Sequence, residues 1–264
     1  MEHNETHDRE ARPAGLVLIH GAFHTARCWS PTVTALARQA PDVQVVAVDL
    51  PGRGTTPGDL STLTIAEAAD AVVAAIERAG LDEVVLVAHS LAGLVAPEVA
   101  GRLGASRVAR LVLLAAVVPP EGASNLALIP RPARWVVGRM LRPGSPRRPP
   151  PRPVVRMSFC NGMTREQREL VYSQLCDEAP GLFHEPVSRA GLPGSVPRAW
   201  ILLTRDRANP PRMQRAGIRN LGDVDEVLEL DTCHDAMITE PAKLASILAE
   251  RCRRGVVPRS ARGR

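Results

Sequence analysis

The segment Val87-Ala-His-Ser90-Leu-Ala-Gly93 sets a serine directly after an apolar run and directly before a helical pattern. At a sharp strand-to-helix turn of that kind the side chain is lifted above the sheet, where a ligand can meet it. A serine in this position is often only a helix N-cap. Its hydroxyl becomes a nucleophile only with a base in reach and a third group to orient that base. In strand–turn–helix serine sites the chain order is serine, then acid, then histidine. Of the histidines at 3, 7, 20, 24, 89, 184 and 234, only His184 and His234 follow Ser90. His184 falls in an irregular stretch. His234 stands after the last apolar run and before the last helical pattern, so it is the expected base. Asp206, just past the apolar run at 199–203, is the expected acid. Asp231 and Asp235 adjoin His234 in the chain, but adjacency does not put a carboxylate on the imidazole Nδ1. Glu121, after an earlier strand, is the alternative acid. The competing role for Asp206 is a turn or helix-cap aspartate, which Asn209-Pro210-Pro211 nearby would suit.

Attack on a carbonyl also needs donors for the developing oxyanion. His20-Gly21-Ala22-Phe23 follows the first apolar run. Gly21 would let the backbone turn sharply there, aiming the Ala22 N–H at a substrate oxygen. The second donor would be the N–H of Leu91. Loss of one such donor costs about 3–4 kcal/mol in the transition state. His20 is expected to brace the loop. Phe23, His89, Trp135, Met140 and Phe159 are candidate walls of an apolar pocket, with plain packing as the competing role for Trp135, Met140 and Phe159.

These residues need a frame. Leu16–His20, Val43–Leu50, Glu83–Ala88, Arg110–Val118, Ala199–Leu203 and Glu226–Leu230 read as strands. Their near-continuous Val, Leu and Ile content fits strands buried on both faces, as in a parallel sheet. Thr64-Ile-Ala-Glu67 is a capping box opening a helix that ends near Gly80. Another helix should continue from Leu91 with Pro97 inside it, and Pro241–Arg251 should close the chain. The alternation predicts an α/β fold, a mostly parallel sheet with helices on both faces. Residues 15–118 and 197–251 form its core, and 119–196 a helical cap inserted after the fourth strand. Within that insert, the Pro/Arg-rich stretch 142–153 should be an extended, exposed connection, and Thr164-Arg-Glu-Gln167 should cap a helix running to about Asp177. Residues 1–14 and the basic tail 252–264 are expected to be disordered.

Composition bounds the partners. Of 264 residues 45% are apolar, enough for a large core. The net charge of +5 comes almost wholly from arginine, because Lys243 is the one lysine. This favours a mildly basic enzyme over a nucleic-acid binder. Five scattered cysteines without a C-x-x-C argue against a disulfide framework or a zinc site. No apolar run spans a bilayer. The expectation is a cytoplasmic protein, monomer or homodimer, with no cofactor, metal, nucleic-acid or membrane partner.

Ile19-His-Gly-Ala-Phe-His24 running to Cys28-Trp29 resembles the esterase and hydroxynitrile lyase (methylesterase-like) branch of the α/β-hydrolase superfamily. So do Asp49-Leu-Pro-Gly-Arg-Gly54, the Ser90 turn, Arg205-Asp-Arg207 and the His234 segment, over roughly Gly15 to Leu248. The resemblance implies an α/β-hydrolase fold and metal-free serine chemistry on a small ester. It assigns Ser90, Asp206 and His234 to a triad, and Ala22 and Leu91 to an oxyanion hole. Plant-type lyases of this branch carry threonine at the position of Gly21 and lysine after the histidine, where this chain has Asp235. Both departures favour ester hydrolysis. Ala88 and Ala92 replace the usual glycines around the serine. The same triad could serve a thioesterase, cyclase or lyase, and a non-catalytic small-molecule receptor is the rival outside enzymology.

Overall fold

The computed structural model of the chain describes residues 13–253. Among them six strands form one sheet: β1 (Gly15–Ile19), β2 (Val45–Val48), β3 (Val84–His89), β4 (Val108–Leu114), β5 (Arg198–Leu203) and β6 (Glu226–Leu230). They lie in the order β2-β1-β3-β4-β5-β6, and every pairing is parallel. The six apolar runs of the sequence are these six strands, each within a few residues of the expected ends.

Side chains alternate across a strand, and in the central strands both sides are buried. On one face Leu16, Leu18, Val85, Val87, Val112 and Leu114 pack with Trp29, Leu36 of α1 (Ser30–Gln39) and Leu244 and Leu248 near the C-terminus. On the other, Val17, Ile19, Leu86, Ala88, Leu111 and Leu113 pack against α2 (Ile65–Arg78) and α3 (Ala96–Leu103). Both layers are desolvated, which is why the central strands show no polar alternation. The capping box at Thr64 and Glu67 is present in both directions, and α2 stops ahead of Gly80, whose φ is +63°.

Pro97 behaves differently from expectation. Instead of sitting inside a helix running from Leu91, it occupies the first turn of α3, after a separate 3₁₀ turn over Ser90–Leu94. Proline lacks an N–H, and the first helical turn has no intrahelical use for one.

Between β4 and β5 lie four short helices: α4 (Arg131–Met140), α5 (Arg152–Ser158), α6 (Arg165–Tyr172) and α7 (Gly181–His184). The Pro/Arg-rich stretch is not wholly a solvated loop. Pro151 caps α5, Pro153 sits in its first turn, and Arg147 exchanges backbone hydrogen bonds with Glu178 at 2.8 Å. Helix α6 carries its capping box but ends at Tyr172, short of Asp177. After β5 come α8 (Pro211–Leu221), α9 (Ala236–Thr239) and α10 (Pro241–Arg253). Cys252, expected in the frayed tail, is buried in α10, and its carbonyl accepts the Ala14 N–H at 3.2 Å. Most of both expected disordered termini lies outside the described residues.

Candidate active site

Ser90 is the first residue after β3 and has φ +52°, a conformation that costs a non-glycine residue energy and persists only where the surroundings fix it. They do so on two sides. The Ser90 carbonyl accepts the Val117 N–H at 2.7 Å. A side chain on Gly93 would lie 2.5 Å from the Val117 carbonyl oxygen, so glycine is obligatory there. Ala88 and Ala92 are fully buried and fit, and the tight approach that glycines usually permit falls on Gly93 instead. Gly21 also differs from expectation: its φ is not left-handed. Its need is closeness, because a Cβ there would lie 2.7 Å from the Ser90 Cβ and 3.0 Å from His89 Nδ1.

His234 and Asp206 come to Ser90 from the carboxyl ends of β6 and β5. His234 Nε2 is 3.0 Å from Ser90 Oγ, and His234 Nδ1 is 2.6 Å from Asp206 Oδ2. The other Asp206 oxygen accepts the N–H groups of Ala208 and Asn209, both at 2.8 Å. The turn role and the histidine-orienting role therefore coexist on one carboxylate. All three side chains are buried, Ser90 retaining 8% exposure. Burial pulls the His234 pKa down, but the charge and hydrogen bond of Asp206, with Asp235 behind it, hold it above the ordinary 6.5. Glu121, the alternative acid, instead accepts the Arg189 N–H at 2.9 Å and pairs with its guanidinium. His184 is remote from this relay, bound to the Leu141 carbonyl at 2.8 Å.

The loop after β1 is braced as expected. Burial and the nearby Arg53 charge push the His20 pKa down to about 3. The neutral ring donates from Nδ1 to the Gly21 carbonyl at 2.9 Å and accepts the Leu50 N–H on Nε2 at 3.2 Å. His89, lowered well below its ordinary value by burial and by His234, donates from Nε2 to the His234 carbonyl at 3.0 Å. The His89 and Phe159 rings lie 4.7 and 5.3 Å from the His234 ring. Phe23, at φ +62°, is buried beside Ala22. Trp135 and Met140 do not join them. They are 73% and 55% exposed on α4, because the inward side of that helix is taken by Val137 and Gly138.

Two buried pairs of ionisable residues escaped the sequence reading. His24 Nε2 lies 3.4 Å from Asp235 Oδ2, with His24 Nδ1 donating to the Ala22 carbonyl at 2.7 Å. Glu178, from the insert, pairs with the buried Arg53 and also accepts the N–H groups of Phe23 at 2.9 Å and Ala179 at 2.7 Å. No spacing rule announces either pair. Their only sequence signal is an ionisable residue inside a segment that otherwise reads as buried.

Removing Glu178 would strand the Arg53 guanidinium, 2% exposed, without its carboxylate. Glu178→Ala is therefore expected to cost about 3–5 kcal/mol, read as a lower urea midpoint. The double variant Arg53→Met/Glu178→Leu should lose clearly less. Equal losses would show that the charge pair is not what Glu178 supplies.

His89, His234 and Asp235 bring potential metal-ligand atoms within 4.8 Å of one another. His234 has both nitrogens engaged in the relay, and His89 Nε2 is committed to a carbonyl. Among the described residues His89 Nδ1 and the Asp235 oxygens make no hydrogen bond, but a cation using His234 as a ligand would have to break its contact to Ser90 or Asp206.

Comparison with known proteins agrees with this architecture. The model of the Alpha/beta hydrolase family matches residues 16–247. The chain is 28% identical over 244 residues to the carbendazim hydrolyzing esterase of Nocardioides sp. (strain SG-4G), covering 89% of this chain and 98% of that protein. It is 29% identical to salicylic acid-binding protein 2 of Nicotiana tabacum, covering 89% and 95%. An extracellular alpha/beta-hydrolase from a Paenibacillus species superposes with a TM-score of 0.78 at 23% identity, over 90% of this chain and 99% of that one. A sheet of this order, a serine at its central turn and a family match across nearly the whole core lead to one conclusion: the chain belongs to the alpha/beta hydrolase family.

Proposed function

We propose that this α/β-hydrolase-fold enzyme cleaves the carboxylic ester of a small, largely apolar molecule, with Ser90, His234 and Asp206 as its catalytic triad. The observation that carries the reading is the unbroken relay from Asp206 through His234 to Ser90, at 2.6 and 3.0 Å. His234 takes the Ser90 proton as Oγ attacks the ester carbonyl, then gives it to the leaving alcohol. An acyl-enzyme remains, and water activated by His234 releases the acid. Asp206 keeps the proton on Nδ1 and stabilises the imidazolium.

The oxyanion is held by the N–H groups of Ala22 and Leu91. Leu91 lies in the first turn of a 3₁₀ helix, where amides have no partner within the helix. The neighbouring Phe23 N–H is spent on Glu178, which leaves Ala22 as the donor from this loop. Phe23, His89 and Phe159 wall the substrate pocket, and the insert between β4 and β5 acts as the lid. Hydrolysis is preferred over a lyase reaction because threonine cannot replace Gly21 without its Cβ meeting that of Ser90. A cytoplasmic site of action belongs to the same proposal and is supported by five free cysteines. Among the described residues no helix is long and apolar enough to cross a membrane.

The test is turnover of a panel of p-nitrophenyl and methyl esters. Retention of a ligand without turnover of any ester would replace this reading by that of a receptor. The pH profile is a second readout. A general base works only when neutral, so a raised His234 pKa puts the acidic limb of kcat/KM above 6.5. Asp235 contributes to that rise, so Asp235→Asn is expected to move the limb toward lower pH. A limb that stays in place, or moves up, would remove Asp235 from the electrostatics of the base.

A further inference from the structure

We propose that the outer face of the helical insert is a docking surface for an anionic lipid membrane. The large apolar side chains that the described fold leaves exposed are concentrated there. Trp135, Val136, Met140, Val154 and Met157 are 42–73% exposed, and outside the insert only Met213 and Val227 join them. From Arg131 to Arg156 the sequence carries eight arginines and no acidic residue. None of the eight forms an ion pair among the described residues.

Helix α4 shows how the two features combine. Arg131, Trp135 and Arg139 recur at intervals of four, with Val136 and Met140 beside them, all exposed. Arg139 stacks over the Trp135 ring at 5.9 Å. The opposite side is held to the insert: a Cβ on Gly138 would touch Leu126 at 3.5 Å, and Arg134 is spent on the Ala127 and Ile129 carbonyls. A helix normally buries its apolar stripe. Here a second stripe, flanked by arginines, faces outward.

The occupant must satisfy both halves of that surface. A second copy of the chain would set arginine against arginine. A nucleic acid would use the guanidiniums but leave Trp135, Val136 and Met140 idle. An anionic bilayer uses both, with guanidiniums among the headgroups, tryptophan at the interface and the aliphatic side chains at the acyl boundary. Peripheral docking of this kind needs no spanning segment. Helix α5 links the surface to the site: it exposes Val154 and Met157 and is followed directly by Phe159, whose ring is 5.3 Å from that of His234. The proposal rests on the insert's surface alone and stands apart from the catalytic reading.

The test is sedimentation of the full chain with vesicles of phosphatidylcholine, with and without phosphatidylserine. Binding should require phosphatidylserine and weaken with salt, each arginine at the surface being worth about fivefold in affinity. Trp29 and Trp200 are fully buried, so a blue shift of emission on vesicle addition reports Trp135. Trp135→Ser with Met140→Ser should lower partitioning by about tenfold or more, and Arg131→Gln with Arg139→Gln should flatten the salt dependence. These positions are solvent-exposed, and an unchanged thermal melt checks that each variant is folded. No phosphatidylserine-dependent binding would overturn the proposal, as would binding indifferent to the Trp135/Met140 pair. Salt-steep binding to duplex DNA without vesicle binding would overturn it in favour of a polyanion. A self-association abolished by Trp135→Ser would overturn it in favour of a second copy.

Discussion

Ser90→Ala is expected to lower kcat/KM on any ester this protein turns over by roughly ten-thousand- to a million-fold. The variant removes one oxygen atom and little else. Alanine keeps the Cβ that already sits 2.7 Å from where a Gly21 side chain would begin, and it bears the same φ of +52° with the same Val117 hydrogen bond. The fold and substrate binding should therefore survive, so that KM or ligand affinity stays close to that of the parent. Because nucleophile and base act as one unit, adding His234→Ala to Ser90→Ala should cost almost nothing further. The measurement is turnover of the best ester by both single variants and the double. A Ser90→Ala protein within tenfold of the parent would exclude an acyl-enzyme at Ser90. Additive losses would show that His234 acts on something other than the Ser90 hydroxyl.

The second large effect is that of Asp206→Asn, about ten-thousand-fold in kcat. The two oxygens of Asp206 have different partners, which makes the outcome sharp. One accepts the N–H groups of Ala208 and Asn209, so the asparagine carbonyl oxygen must take that side. Its NH₂ then faces His234 Nδ1 and donates to it. The imidazole proton is driven to Nε2, the atom that must accept from Ser90. The turn stays satisfied, so the urea midpoint should move little. Asp206→Ala would lose both functions and should lower stability as well as turnover. If Asp206→Asn keeps activity within tenfold, the orienting acid lies elsewhere. Asp235 would be the next residue to change, because it is buried near the same histidine, whereas Glu121 is occupied by Arg189.

Much of this site was legible in the sequence because its positions follow from local backbone chemistry and burial. A strand buried on both faces has to be a run of apolar residues, as the central β1, β3, β4 and β5 are, while the edge strands β2 and β6 are only partly buried. A parallel strand must be followed by a crossover, and functional residues collect at the carboxyl ends of such strands. Ser90, Asp206 and His234 each stand just after a run, which is why chain order alone was enough to nominate them. Gly21 and Gly93 were visible as glycines, but the reason for them was not. It is that a Cβ at either position would lie within 3 Å of another segment, which no single segment encodes.

The errors have the same cause. Trp135 and Met140 look like pocket residues because they are large and apolar in a segment expected to cover the site. Whether a helix turns a given side inward depends on what packs beneath it, and beneath α4 that place belongs to Val137 and Gly138. Asp235 was set aside as a neighbour of His234, and it does not touch Nδ1. Its partner is His24, from the other end of the chain, brought to it where the segments that follow β1 and β6 meet. Glu178 and Arg53 meet in the same way, across the insert and the loop after β2.

By itself, then, the sequence determined the strands, the sharp serine turn and the places of Ser90, Asp206 and His234 after their strands, because these are set by local conformation and by burial along one strand or helix. The tertiary structure decided which buried charges neutralise one another, which glycines are obligatory and which face of the insert meets solvent. Those outcomes depend on distances between segments remote in the chain, and only the folded sheet fixes such distances.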